Sequence, residues 1–116
     1  MSYSERRSLE ALRRLNAEFQ ADSLPFGRVH KALQALGADP ERCVVFACYP
    51  DSGDTVVLKY VSLENAVYEA DIDLSADSGS TLEKVGEFPR GGNRATQIED
   101  SSIRTLLDEL QRLEIQ

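Results

Sequence analysis

The stretch AVYEADIDL, residues 66–74, alternates apolar and acidic residues with the two-residue period of a half-buried β-strand. The apolar members of one parity are predicted to face a core: Tyr68, Ala70, Ile72 and Leu74. The acidic members then form a row on the opposite face, about 7 Å apart because each strand residue advances about 3.3 Å. We call this row the acidic stripe: Glu69, Asp71 and Asp73.

Three further segments share this period and flank the acidic stripe. Two of them precede it as a hairpin, and one follows it after a second Asp-Ser-Gly turn; the three strands are predicted at 43–49, 55–61 and 81–88. Short loops between all four strands favour an antiparallel meander. Gly86 interrupts the alternation of the last strand and indicates a bulge.

Apolar residues at helical spacing predict two helices before the strands. The first covers 4–20, and its apolar stripe consists of Leu9, Leu12, Leu15, Asn16 and Phe19. The second is capped by Asp22 or Ser23, has Pro25 in its first turn and ends at Gly37. Its buried stripe consists of Phe26, Val29, Leu33 and Leu36.

A third helix is predicted after residues 89–97, which lack periodicity and read as a mobile connection. Asp100 or Ser101 is its expected cap, and its apolar stripe consists of Ile103, Leu106, Leu107, Leu110 and Leu113. The resulting order is helix, helix, four strands, helix. It predicts a single two-layer α+β domain over 1–116, with the helices on one sheet face and the acidic stripe on the other.

The net charge of −7 is distributed unevenly along the chain. Residues 1–42 hold seven basic and six acidic residues, a net charge of +1, whereas residues 43–116 hold six and fourteen, a net charge of −8. A field of this sign repels nucleic acid and anionic membranes and attracts basic proteins. The composition therefore predicts a basic protein as the partner, with no direct nucleic-acid or membrane contact.

The acidic stripe is the predicted binding surface for such a partner. Glu83 and Glu87 extend it if the fourth strand presents them on the same face, and Val57 and Val61 are predicted to supply an apolar centre. Regularly spaced carboxylates on a sheet can compete with a nucleic-acid backbone for a basic groove, and their field raises the association rate. We expect a small non-enzymatic interaction module of the immunity-protein, inhibitor or adaptor type.

An alternative places a small-ligand or weakly catalytic site near His30 and Cys48, the only histidine–cysteine combination of interest. The loop from Arg90 to Arg94, Arg-Gly-Gly-Asn-Arg, lacks the pattern of a phosphate-binding loop, and its role stays open. Homodimerisation through the last helix or a sheet edge also stays open.

No metal or cofactor is expected. Asp71, Asp73, Ser75 and Asp77 recur like calcium-loop ligands, but Ala76 and Leu82 stand where such a loop needs Gly and Glu. The cysteines, Cys43 and Cys48, are predicted on opposite faces of one strand, too far apart to bridge. Two reduced thiols, with no apparent signal peptide or membrane span, predict a cytoplasmic protein.

Overall fold

The computed structural model describes residues 1–22, 29–75 and 79–115. Its elements, in chain order, are α1 (Tyr3–Gln20), α2 (Val29–Ala35), β1 (Cys43–Pro50), β2 (Thr55–Ser62), β3 (Ala66–Asp73), β4 (Thr81–Glu87) and α3 (Arg94–Ile115). The strands form one antiparallel sheet in the order β1-β2-β3-β4. The predicted α+β class and meander are confirmed. Five residues discussed above lie outside the described residues: Ser23, Pro25, Phe26, Ala76 and Asp77.

The turns between the strands depend on residues that accept a left-handed backbone. Gly53 has a φ of 63° in the β1–β2 turn, and Asn65 has a φ of 63° in the β2–β3 turn. Both residue types tolerate this region better than branched side chains do. These tight connections keep consecutive strands adjacent and antiparallel.

Two bulges shift the alternation of side chains within the outer strands. In β1 the pairing passes from Val45 to Ala47, which leaves Phe46 as the extra residue. In β4 the pairing passes from Lys84 to Gly86, which leaves Val85 as the extra residue. Each extra residue reverses the relation between residue parity and sheet face beyond it.

The bulge at Phe46 corrects the prediction for the cysteines. Cys43 is buried in the same hydrophobic cluster against which Cys48 packs, so the two side chains share a face instead of lying on opposite ones. They pair with Ser62 and Leu58, four residues apart on β2, which separates them by about 13 Å along the sheet. Both cysteines are free thiols.

The hydrophobic core consists of two clusters on opposite faces of the sheet. The first cluster joins α2 to alternate strand residues: Val29, Leu33, Val45, Leu58, Tyr60, Ala70 and Ile72 are among its members. The second joins α3 to the intervening positions: Val44, Val61, Val67, Ile103 and Leu107 are among its members. Since neighbouring strand residues point to opposite faces, α2 and α3 pack on opposite faces.

The expectation that all helices cover one face is therefore wrong. It assumed that the face of the acidic stripe is solvated along its whole length, but Val61 and Val67 pair at one end of that face and need a cover. The apolar side of α3 supplies it. α1 contributes Leu12 to the second cluster and Phe19 to the first.

Asn16 of α1 covers the free edge of β1 at Val45. Its side-chain Nδ2 donates to the carbonyl oxygen of Val45 at 2.8 Å, and its Oδ1 accepts from the Val45 N–H, also at 2.8 Å. The side-chain amide thus takes the place of a peptide group in a neighbouring strand. This explains the polar residue within the apolar stripe of the first helix.

α3 begins earlier than predicted. The Asn93 side chain accepts a hydrogen bond from the Thr96 N–H at 2.9 Å, the geometry of an N-terminal cap. Asp100 and Ser101 consequently lie inside the helix, and the predicted connection is shorter. In the described part of the chain, no helix is long and apolar enough to cross a membrane.

Candidate functional site

The strand register brings four carboxylates onto one part of the sheet. In one cross-strand row, Lys59 pairs with Glu69 and Glu69 pairs with Glu83; in the next, Val57 pairs with Asp71. Residues paired across an antiparallel sheet share a face, so Glu83 joins the acidic stripe. We call this set the acidic face: Glu69, Asp71, Asp73 and Glu83.

The four carboxylates differ in how far the fold itself engages them. Lys59 Nζ lies 3.8 Å from Glu69 Oε1. Asp73 accepts hydrogen bonds from Ser75 Oγ at 2.7 Å and from the Ser75 N–H at 2.9 Å, and these bonds lower the pKa of Asp73. Asp73 therefore fixes the chain at Ser75, directly after β3.

Asp71 and Glu83 are exposed, and within the described residues neither has an ion-pair partner. Glu69 and Glu83 are also direct cross-strand neighbours, which puts their β-carbons about 4.5–5.5 Å apart. Like charges at this separation disfavour the folded sheet. The acidic face thus carries negative charge that the described part of the fold does not neutralise.

Glu87 does not belong to this face. Glu87 pairs with Ala66. Ala66 lies two residues before Tyr68 and therefore points to the same sheet face as Tyr68, opposite the acidic face. The Glu87 carboxylate lies 2.5 Å from Lys84 Nζ. The condition for adding Glu87 to the stripe is therefore not met, because the bulge at Val85 turns the end of β4 over.

The valines predicted as an apolar centre are both buried. Val61 is fully buried in the second cluster beneath α3, and Val57 is 6% exposed. Tyr49 is an exposed aromatic side chain beside the acidic face: it pairs with Val57, is 43% exposed, and its ring centroid lies 5.9 Å from Lys59 Nζ. The sequence did not reveal Tyr49 because its face depends on the bulge at Phe46.

His30 and Cys48 do not form a dyad in this structure. The His30 Nε2 hydrogen-bonds the carbonyl oxygen of Phe19, and the two rings lie 4.7 Å apart. No hydrogen bond joins His30 to Cys48 within the described residues. Burial raises the pKa of the Cys48 thiol and raises that of Cys43 to about 12, so neither forms a thiolate readily.

Arg90 holds the glycine-rich loop onto α3. Its Nε donates to Asp100 Oδ1 at 2.7 Å, its NH2 group donates to Glu99 at 2.8 Å, and its guanidinium lies 4.4 Å from the Phe46 ring centroid. Asp100, only 6% exposed, also accepts from the N–H groups of Arg90 and Gly91. These contacts engage the Arg90 guanidinium and the Gly91 N–H within the fold, and they give Asp100 a structural role that the sequence did not indicate.

A shallow groove of about 450 Å³ lies at the β1–β2 turn, with Pro50, Asp54, Leu74 and Ser75 among its lining residues. Neither His30 nor Cys48 lines it. No group of three potential metal ligands occurs among residues 1–22, 29–75 and 79–115.

Comparisons of the chain with family models, curated proteins and solved structures found no match.

Proposed function

We propose that this protein is a small, non-enzymatic interaction module that binds a basic surface of another protein through the acidic face. One observation carries the proposal: Asp71 and Glu83 are exposed and lack ion-pair partners in the described structure, next to a half-buried Glu69 and to Asp73, which is hydrogen-bonded to Ser75. A rigid sheet holds these charges at fixed spacing, which favours a partner with fixed cations.

The contact combines charge with one aromatic anchor. Long-range attraction by the acidic face raises the association rate, and this effect weakens as salt screens the charges. Tyr49 and the aliphatic part of Lys59 offer apolar area beside the carboxylates. Tyrosine is among the residues that most often dominate binding energy in interfaces.

Charge reversal at the two unpaired carboxylates tests the proposal. Wild type and the double variant Asp71→Lys/Glu83→Lys are immobilised, and proteins of the host lysate are captured at low and at high salt and identified by mass spectrometry. Purified partners are then titrated against both forms. We expect a basic protein whose affinity falls about tenfold or more in the variant at low salt, because like charges then face each other.

A matched control changes the same number of charges elsewhere. Glu10 and Glu41 are exposed, on α1 and before β1, so Glu10→Lys/Glu41→Lys brings the net charge from −7 to −3 just as the test variant does. Equal loss of binding in both variants contradicts a specific acidic face and indicates a net-charge effect. Retention of the same partner by all forms also contradicts the proposal.

We propose that the protein binds this partner in the cytoplasm. Cys43 and Cys48 are free thiols on one sheet face, a state that a reducing compartment maintains. We expect mass spectrometry of the native protein, isolated without reductant, to find both thiols unmodified.

A further inference from the structure

The two edges of the sheet differ: a side chain of α1 covers part of the β1 edge, and the β4 edge is open in the described structure. At the β1 edge, the Asn16 side-chain amide hydrogen-bonds to both the N–H and the C=O of Val45. β4 pairs only with β3, and in the described part of the chain its backbone makes no other hydrogen bond. Every second residue of β4 therefore directs its N–H and C=O away from the sheet.

The two sides of the open edge have different chemistry. Thr81 and Glu83 lie on the acidic face, beside Asp71 and Glu69 of β3. Leu82 lies on the other face, half-buried at the margin of the first cluster. A strand added to this edge places alternate side chains beside Glu83 and beside Leu82.

We propose that β4 binds an extended segment of the partner as a fifth strand, and that this segment alternates basic and apolar residues. The inference rests on the proposed function and specifies how the partner engages the acidic face. Main-chain hydrogen bonds fix the register between β4 and the added segment. Basic side chains of the segment lie next to Glu83 and extend towards Asp71, and its apolar side chains cover Leu82.

Charge complementarity selects this occupant over a second copy of the chain. Pairing of two β4 strands brings two acidic faces side by side, each carrying an exposed Glu83 without an ion-pair partner in the described structure. Like charges across a strand pair are unfavourable. A basic strand replaces this repulsion with attraction.

The test uses a capped peptide of about eight residues, matching the seven of β4, in which Lys and Val alternate. Binding to the full chain is followed by NMR at low salt, with amide hydrogen exchange measured in the same samples. We expect outward-directed N–H groups of β4 to exchange at least about tenfold more slowly with peptide bound, because they become hydrogen-bonded.

Two further peptides and two protein variants separate backbone pairing from charge attraction. A peptide in which Glu replaces Lys, and a Lys-Val peptide methylated at alternate amides, are both expected to lose binding. In the protein, Glu83→Gln is expected to weaken binding about two- to fivefold, as exposed ion pairs do. Glu87→Gln, on the other face, is the matched variant and is expected to change affinity less.

The outcomes distinguish the two proposals. Peptide binding that shifts the signals of Glu69 and Asp71 without slowing exchange in β4 overturns strand addition and leaves the acidic face as a binding surface. If amide exchange in β4 becomes slower as the protein concentration increases, in the absence of peptide, a second copy of the chain is the occupant. This outcome overturns the proposal of a basic segment. No binding of the Lys-Val peptide at low salt overturns this inference, while capture of a folded basic protein still supports the proposed function.

Discussion

Replacing Asn16 by Leu tests how α1 stabilises the edge of β1 at Val45. The side-chain amide makes two hydrogen bonds to the backbone of Val45, and its Nδ2 also donates to the Leu12 carbonyl oxygen at 2.9 Å. Leucine has a similar size, so the change removes hydrogen bonds and leaves little cavity. Val45 is fully buried, and a buried backbone group without a partner costs about 1–3 kcal/mol.

Two such groups, partly rescued by water at the sheet edge, give an expected loss of about 3 kcal/mol in the free energy of unfolding. For a urea dependence of about 1–3 kcal/mol per molar, the midpoint falls by about 1–3 M with an unchanged slope. Circular dichroism at 222 nm during urea unfolding measures it.

Gln20→Leu is the matched control, because Gln20 also donates from α1 to a backbone carbonyl, that of Pro40, but makes one bond. Its expected loss is about 1 kcal/mol. If Asn16→Leu costs no more than Gln20→Leu, water replaces the amide fully, and the stabilisation of this edge by a side chain is refuted.

The other predictions concern buried charge, burial under α3 and one exposed ion pair. Asp100→Asn is expected to cost about 2–4 kcal/mol in thermal unfolding, since Arg90 loses its buried partner carboxylate; a loss below about 0.5 kcal/mol contradicts this. Val61→Ala is expected to cost about 2 kcal/mol by urea unfolding, whereas a surface valine would change stability by less than about 0.5 kcal/mol. In wild type, the hydrogen bond from Arg13 lowers the pKa of Glu109 below its unfolded value, so the stabilisation is present above about pH 4.3 and is lost as pH falls through the folded-state pKa. Arg13→Gln is expected to raise the Glu109 pKa in an NMR titration and to cost less than about 1 kcal/mol at pH 7, because both side chains are largely exposed; an unchanged pKa contradicts the pairing.

Sequence periodicity predicted the element types because each rests on short-range spacing. The alternation at 66–74 found β3, and the helical spacing around Leu12 and Ile103 found α1 and α3. The start of α3 was missed because Asn93 follows two glycines, where loop composition conceals a cap. The position of α3 was missed because Val61 and Val67 lie on two strands, and only their pairing shows an apolar area large enough to need a helix.

The candidate site was predictable only where strands are regular. Glu69, Asp71 and Asp73 follow one uninterrupted strand, so their shared face followed from alternation alone. Glu87 and Tyr49 lie beyond bulges, and a single inserted residue moves each to the other face. No local sequence pattern around Phe46 predicts its bulge. Gly86 did signal irregularity in β4, without saying which residue is the extra one.

The Asn16 contact also limits how far edge-to-edge assembly extends. Growth of a sheet through many molecules requires each molecule to offer two open edges, one to receive a strand and one to pass the pattern on. At the β1 edge, Asn16 of α1 already holds the N–H and the C=O of Val45, so a strand added there has to displace this side chain. In the described structure the β4 edge carries no such contact. Assembly that continues through the β1 edge therefore first requires Asn16 to release Val45.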